Sequence, residues 1–299
     1  MATSFLRHLN STHPPLRNIL AIALDAGAHD ALRTLGVATY FDASLSFTAV
    51  ATRFREPEYN RILMHKWRLT REILALGFDA VVVDVDVVFL RNPLPFLADL
   101  PHCDVSAATD ALPPRIYERI PGRFSKENKT DLYLNGGILF WRRSPRVLAL
   151  IDDFMQPQWR LGKDDQKELH AFLLQRNAGA ATKTGLSPTE LVSRQVCLRY
   201  GGLDINVLPP MLFPNYLQFT ERDGFLPALS QTAPVALHFV RFLMSAAAGA
   251  SARFALTRIM GRISLIILRP SNAGCGALAC GAATARGDTA RARESSIYV

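Results

Sequence analysis

Apolar residues alternate between two periodicities along the chain and predict alternating strands and helices. Residues 18–25 and 80–90 form nearly continuous apolar runs, which are typical of strands buried on both faces. Between them, residues 57–76 carry apolar side chains at helical spacing, and Gly77 is suited to end that helix. This alternation predicts an α/β fold with an open, mostly parallel sheet and helices on both faces.

Two aspartates, Asp84 and Asp86, interrupt the apolar run at residues 80–90. If the strand continues through them, both side chains point to the same side. Two neighbouring carboxylates at the edge of an apolar core need a compensating charge, and a divalent cation is the simplest one. Mn2+ or Mg2+ would be shared with the phosphates of a substrate. The alternative is a strand that ends at Val83, with both aspartates in a solvated turn.

The predicted helix at residues 57–76 carries a lysine among apolar residues. Lys66 lies on a helical stripe with Ile62, Leu69 and Ile73. Lysines at such positions commonly bury the aliphatic stem and extend the ammonium group into water. Because the helix leads directly into the aspartate-bearing strand, contact with a substrate phosphate is the second interpretation.

Asn135, Gly136 and Gly137 interrupt the apolar segment at residues 132–142. Glycine in a strand allows close approach of the backbone to a ligand, and it also occurs in β-bulges that bind nothing. Both interpretations remain open from the sequence.

Two further segments carry candidate polar groups. Asp165 and Gln166 stand at a predicted helix start, where Asp165 fits an N-cap and Gln166 points along the buried stripe. An inward glutamine needs a hydrogen-bond partner. His238 lies within the apolar segment 234–240, where a lone histidine is more often a core residue than a ligand.

Composition bounds the class of protein. The 299 residues are 49% hydrophobic and 20% charged, enough for one large domain or two modest ones. Much of the net charge of +8 comes from residues 245–299, which hold seven arginines, no lysine and two acidic residues. No basic face or groove is patterned, so nucleic acid is not an expected partner. We expect a folded domain at residues 1–244 and a largely disordered Ala/Gly/Arg-rich tail at 245–299.

The cysteines and the N-terminus leave the compartment open. The four cysteines have neither metal-ligand spacing nor the density of a disulfide scaffold. The sequence shows no signal peptide and no apolar run long enough to span a bilayer, which predicts a soluble chain as written.

Five segments in order resemble the nucleotide-diphospho-sugar transferase family of plants and algae. They are VVVDVDVVFLRNPLPFL, LNGGILFWRRSP, DDQKEL, VLPPMLFPN and VALHFV, and they cover roughly residues 60–242. The family includes arabinosyl-, xylosyl- and galactosyltransferases of cell-wall glycans and glycoproteins. The resemblance implies a GT-A fold, a nucleotide-sugar donor that is most often UDP-linked, a glycan or glycoprotein acceptor, Mn2+ or Mg2+, and retention of anomeric configuration.

The resemblance also implies roles for the metal ligands. Asp84 and Asp86 occupy the family's D-x-D motif, with Asp86 as the direct ligand and Asp84 as the contact to ribose, or to metal through water. His238 matches the late histidine that completes metal and diphosphate binding.

The remaining roles concern the sugar. Asn135, Gly136 and Gly137 match residues that line the donor sugar or the acceptor face. Asp165 and Gln166 would approach the anomeric carbon, and Asp165 is the candidate nucleophile if a covalent intermediate forms.

The chain departs from the family at its beginning. Family members have a strand before the helix that matches residues 5–9, and its end holds the nucleotide base; that first strand is missing here. The strand at residues 18–25 would then have an open edge, which predicts self-association. Members usually reach the Golgi lumen through an N-terminal membrane anchor, so the resemblance implies that compartment.

Two other functions are consistent with the motifs. An apolar strand ending in D-x-D also begins haloacid-dehalogenase-like phosphatases, in which Asp84 would be the nucleophile. A protein of the transferase fold that binds ligand weakly or not at all, because its first strand is missing, is the non-enzyme alternative.

Overall fold

The computed structural model describes residues 12, 14–16, 18–45, 47, 57–109, 134–156, 165–177, 197–210, 212–214, 233–238 and 263–270. The predicted helix at residues 5–9 and most of the predicted disordered tail at residues 245–299 lie outside these ranges. None of the helices in the described part of the chain is both long and apolar enough to cross a bilayer.

Ten strands and five helices make up the described residues. The strands are β1 (Ile19–Ala23), β2 (Ala38–Phe41), β3 (Phe78–Val83), β4 (Val87–Phe89), β5 (Val105–Thr109), β6 (Leu134–Trp141), β7 (Leu198–Tyr200), β8 (Leu203–Val207), β9 (Ala236–His238) and β10 (Ile263–Pro270). The helices are α1 (Ala26–Thr34), α2 (Pro57–Ala75), α3 (Pro93–Asp99), α4 (Pro145–Phe154) and α5 (Asp165–Asn177).

Eight strands form one open, mixed sheet in the order β2-β1-β10-β3-β6-β5-β8-β7. Strands β1, β2, β3, β5 and β8 run in one direction, and β10, β6 and β7 run in the other. The majority direction confirms the mostly parallel α/β sheet that the sequence predicts. Strands β4 and β9 form a separate two-stranded sheet.

Local sequence signals set the helix ends. The Ser144 hydroxyl accepts a hydrogen bond from the backbone N–H of Val147, and Pro145 takes the first helical position of α4. Helix α2 stops before Gly77, whose φ of 102° is a conformation that favours glycine. The end of α2 at Gly77 agrees with the sequence expectation.

Helices cover both faces of the sheet. On one face, α2, α4 and α5 pack together through aromatic side chains, and Phe154 lies 4.9 Å from Trp67 and 5.2 Å from Phe172, centroid to centroid. On the other face, buried residues of α1 and α3, among them Leu32 and Leu97, pack on the sheet. Because Trp67 of α2 and Phe172 of α5 both pack on Phe154, the two helices are held close together.

The predicted tail at residues 245–299 contains one strand of the sheet, β10, and the rest of the tail lies outside the described residues. Strand β10 lies between β1 and β3 and is antiparallel to both, with Ile266 and Ile267 buried on opposite faces. Six consecutive residues from Ile263 to Leu268, ISLIIL, are enough to form a strand when both neighbours are already in place.

The expected open edge of β1 is also wrong. Strand β1 pairs with β2 on one side and with β10 on the other, so both edges are hydrogen-bonded. The argument for self-association through that edge therefore no longer applies.

A disulfide that the sequence does not predict joins Cys103 and Cys197. These residues precede β5 and β7, which flank β8 on opposite sides. Their spacing of 94 residues in sequence gives no local signal, because only the fold brings the two cysteines together.

Candidate metal and donor site

The aspartate pair lies in a turn between two sheets. Strand β3 ends at Val83, the N–H of Asp84 donates to the Gly137 carbonyl at 3.0 Å, and the N–H of Val87 donates to the Asp84 carbonyl at 3.1 Å. The prediction of one continuous strand through Asp84 and Asp86 is therefore wrong. The solvated-turn alternative is also incomplete, since the side chain of Asp86 is only 4% exposed and that of Asp84 is 41% exposed.

His238 reaches the same turn through the two-stranded sheet. Strand β9 pairs with β4 so that His238 lies opposite Val87, and the His238 N–H donates to the Pro214 carbonyl at 3.0 Å. The Nε2 atom of His238 lies 3.3 Å from Asp86 Oδ1. The histidine is buried, and its ring faces the site.

Asp84, Asp86 and His238 form a cluster that could hold a metal ion. One ligand atom from each residue lies within 4.8 Å of the other two. Two carboxylate oxygens and one imidazole nitrogen on one side leave the remaining coordination positions to water or a ligand. The donor set and its burial fit a divalent cation.

Lys66 is directed at the aspartates and not at solvent. Its Nζ atom lies 3.0 Å from Asp84 Oδ1 and 3.7 Å from Asp165 Oδ2, and its side chain is 7% exposed. Burial alone lowers the pKa of Lys66, but the negative charges of Asp84 and Asp165 raise it above its ordinary value. The interpretation of Lys66 as a lysine that extends into water is therefore wrong, and the ammonium group stays charged within the site.

Helix α5 begins at the site. Asp165 is its first residue and has a largely buried side chain, and the Oε1 atom of Gln166 accepts a hydrogen bond from the Gly136 N–H at 2.9 Å. The partner that an inward glutamine requires is thus the backbone of β6. Asp165, Gln166, Lys66 and Asp84 are brought together as one group of polar side chains.

The Asn135–Gly137 segment remains within strand β6 and does not end it. The Oδ1 atom of Asn135 accepts from the Gly137 N–H at 2.9 Å, and the β5–β6 register shifts between Ala107 and Thr109, opposite this segment. On the other side of β6, the Gly137 carbonyl accepts the N–H of Asp84, directly beyond the Val83–Ile138 pair of the β3–β6 ladder. Strand β6 therefore contacts both the aspartate turn and α5.

Charge balance supports the metal site. Asp84, Asp86 and Asp165 bring three carboxylates to the surroundings of one lysine, Lys66. A divalent cation would offset the remaining two negative charges.

The sequence model of the nucleotide-diphospho-sugar transferase family matches residues 15–240. The chain belongs to this family. The match covers most of the chain and includes every candidate site residue named above. It confirms the resemblance that the five sequence segments indicate, and neither the phosphatase nor the non-enzyme alternative is favoured.

Two curated plant proteins are similar to this transferase-family chain. Arabinosyltransferase XEG113 of Arabidopsis thaliana is 30% identical over 153 residues, which are 51% of this chain and 23% of that protein. Beta-arabinofuranosyltransferase RAY1 of Arabidopsis thaliana is 25% identical over 158 residues, which are 52% of this chain and 28% of that protein. The chain thus spans about a quarter of the length of these relatives.

A solved galactosyltransferase, LgtC in complex with donor and acceptor sugar analogs, also aligns with this member of the family. Its TM-score is 0.43 at 15% identity, over 85% of this chain and 89% of that one.

The contact between Lys66 and Asp165 is the part of the site that sequence reasoning misses. The two residues are 99 positions apart in sequence, and their meeting depends on the shared packing of α2 and α5. The sequence does offer one signal for this contact. Each of the two helices carries a charged residue among apolar residues, and a buried charge needs a partner of opposite sign.

Proposed function

We propose that this chain is a metal-dependent glycosyltransferase that moves a sugar from a UDP-linked donor to a glycan or glycoprotein acceptor, with retention of configuration. The observation that carries the proposal is the Asp84-Asp86-His238 cluster, in which Asp86 and His238 are buried, beside the Lys66–Asp165 ion pair. The chain belongs to the nucleotide-diphospho-sugar transferase family.

Asp84, Asp86 and His238 would hold the ion. Mg2+ takes oxygen ligands, so the imidazole nitrogen of His238 leads us to propose Mn2+ as the better fit. When bound, such an ion neutralises the charge that develops on a diphosphate leaving group.

Lys66 and Asp165 act on the other side of the donor in this proposal. Lys66 contacts Asp84 and Asp165, and its remaining N–H groups would bind a donor phosphate or sugar hydroxyl. The ionised carboxylate of Asp165 is suited to stabilise positive charge at the anomeric carbon, or to attack it as a nucleophile.

Strand β6 completes the donor face. The Gly136 N–H donates to the Gln166 carbonyl oxygen and so holds this side chain against the strand. Asn135, Gly136 and Gly137 lie along the same side, and we propose that this segment lines the donor pocket.

The proposal extends to the transferred sugar and to the compartment. The names of the two similar plant proteins favour arabinose as the transferred sugar. The Cys103–Cys197 bond favours an oxidising compartment, which agrees with the Golgi lumen that the family resemblance implies.

The test is release of UDP from a panel of donors. The full chain is incubated with UDP-arabinofuranose, UDP-xylose and UDP-galactose, each with Mn2+ or with EDTA. We expect Mn2+-dependent release from at least one donor, lost in Asp86→Asn and retained in Asp99→Asn, which changes an exposed aspartate on α3. Absence of release from every donor, or equal release by Asp86→Asn, would overturn the proposal.

A further inference from the structure

We propose that Gly137 is a positioning residue that seats His238 and Asp84 for metal binding. The metal part of this inference rests on the proposed function. Its steric part rests on the geometry of the chain and can be tested without any ligand.

The ring of His238 occupies the space that a side chain at position 137 would fill. A Cβ atom added to Gly137 would lie 2.0 Å from Cε1, 2.4 Å from Nε2 and 2.7 Å from Nδ1 of His238. The φ of Gly137 is not in the left-handed region, so the requirement for glycine here is steric and not conformational. Glycine at position 137 thus allows the backbone of β6 to pack against the ring of His238, one of the proposed metal ligands.

His238 cannot easily move away from such a clash. Its side chain is 2% exposed, β9 is paired with β4, and its N–H is bonded to Pro214. A ring displaced by a methyl group would also leave its position 3.3 Å from Asp86. Overpacking at this point therefore changes the metal-ligand geometry and not only the stability.

Gly137 is tied to a second ligand through its backbone. Its carbonyl accepts from the Asp84 N–H at 3.0 Å, while its own N–H donates to Asn135 Oδ1 at 2.9 Å. Two of the three residues of the metal cluster are thus positioned by the same glycine.

Gly136 provides a matched control. A Cβ atom there would meet Gln166 Cβ at 3.6 Å and Gln166 Oε1 at 3.7 Å, which are ordinary contacts. Its φ is likewise outside the left-handed region, and alanine would keep the N–H that binds Gln166. The two neighbouring glycines therefore differ in whether a methyl group strikes His238.

The first experiment measures Mn2+ binding to the full chain by the loss of the free-ion electron paramagnetic resonance signal. We expect Gly137→Ala to weaken Mn2+ binding by about 10- to 100-fold, as other changes behind metal ligands do. Gly136→Ala should bind Mn2+ within about twofold of the unchanged protein. Equal Mn2+ affinities for the two variants would overturn the inference.

A double-mutant cycle in the absence of metal tests whether Gly137 acts through His238. Gly137→Ala should lower the Tm in the original background and have little effect in the His238→Ala background, where the ring is gone. An equal loss of Tm in both backgrounds would show that Gly137 acts elsewhere, which would refute the inference. If the unchanged protein binds no Mn2+, the proposed metal function fails, and this cycle still decides whether Gly137 seats His238.

Discussion

At the scale of single residues, the site depends on a buried lysine shared by two carboxylates. Lys66 is held between Asp84 and Asp165, which are contributed by different elements. Removing one charged partner from such a group leaves the opposite charges buried and unpaired. The resulting loss of stability is larger than the net stabilisation that the ion pair provides. The lysine is therefore expected to contribute to both stability and activity.

Lys66→Met tests this role. We expect a loss of about 1–3 kcal/mol in the free energy of unfolding, less than for a fully buried pair because Asp84 is partly exposed. Donor cleavage should fall by at least about tenfold, since a charge near the diphosphate is lost. Urea denaturation and UDP release measure the two effects. The control is Lys167→Met, which removes an exposed lysine from α5; similar losses in both variants would contradict the account.

His65, the neighbour of Lys66, gives the domain a predictable acid sensitivity. Burial lowers the pKa of His65 to about 4, with the positive charge of Arg68 acting in the same direction. Arg68 also donates to His65 Nδ1 at 3.3 Å, a bond that needs the neutral ring. The folded state therefore resists protonation of this histidine.

The sign of the pH effect follows from linkage. The unfolded chain protonates His65 near pH 6.5, so stability present above that pH is lost as the pH falls towards about 4. Between these two pH values, the free energy of unfolding of the His65→Gln variant should fall by up to about 3 kcal/mol less than that of the unchanged protein. Denaturation curves at pH 6.5 and pH 4.5 provide the comparison, and parallel pH dependences would show that His65 is not responsible.

Among the strands and helices, β10 is the one whose place in the sheet bears most on the candidate site. It fills a position in the middle of the sheet, directly beside the strand that leads to Asp84, and it pairs with both neighbours over most of its length. The residues around the candidate site therefore depend on a segment far along the chain from the D-x-D motif.

Truncation of the β10 core tests its place in the sheet. Ile267→Ala should destabilise the protein by about 2–4 kcal/mol, since Ile267 is 1% exposed and a cavity would remain. Leu76→Ala, at a leucine that is 61% exposed, should change stability by less than about 0.5 kcal/mol. If thermal unfolding of Ile267→Ala matches that of Leu76→Ala, β10 does not belong to the core.

Elements with local signals were predictable from the sequence, and those defined by distant pairing were not. Helix α2, its end at Gly77 and the N-cap at Ser144 follow from nearby residues. From the sequence, the break after Val83 is only the alternative interpretation, because the apolar residues on both sides of Asp84 conceal the change from one sheet to another. Strand β10 could not be placed from the sequence, because the short apolar run Ile263–Leu268 stands in an Ala/Gly/Arg-rich segment and its pairing partners are far away in sequence.

The candidate site divides in the same way. The identities of Asp84, Asp86, His238 and Gln166 could be proposed from motifs, whereas their contacts could not. The ion pair of Lys66 with Asp165 and the packing of His238 on Gly137 require the positions of helices and sheets that meet only in the fold.

At the scale of the whole molecule, the Cys103–Cys197 bond links two distant parts of the chain. It closes a segment 94 residues long that contains β6, α4 and α5, and therefore Asn135 through Gln166. A cross-link of this span stabilises a protein mainly by restricting the unfolded chain, and it forms in oxidising compartments.

Reduction of this bond should weaken the fold. Cys197→Ser is expected to lose about 2–5 kcal/mol in the free energy of unfolding, measured in urea without reductant. Adding dithiothreitol to the unchanged protein should bring its denaturation midpoint to that of the variant. A midpoint of the unchanged protein that does not respond to reductant would show that the bond is absent or without effect.

The central claim is that Asp84, Asp86 and His238 couple a divalent cation to a nucleoside diphosphate. The most direct measurement is the Kd of UDP, determined by calorimetry with Mn2+ and with EDTA, for the unchanged protein and for Asp86→Ala. The account predicts that Mn2+ tightens UDP binding by at least about tenfold, or about 1.4 kcal/mol, and that Asp86→Ala removes this difference. Equal UDP affinity with and without Mn2+ in the unchanged protein would contradict it.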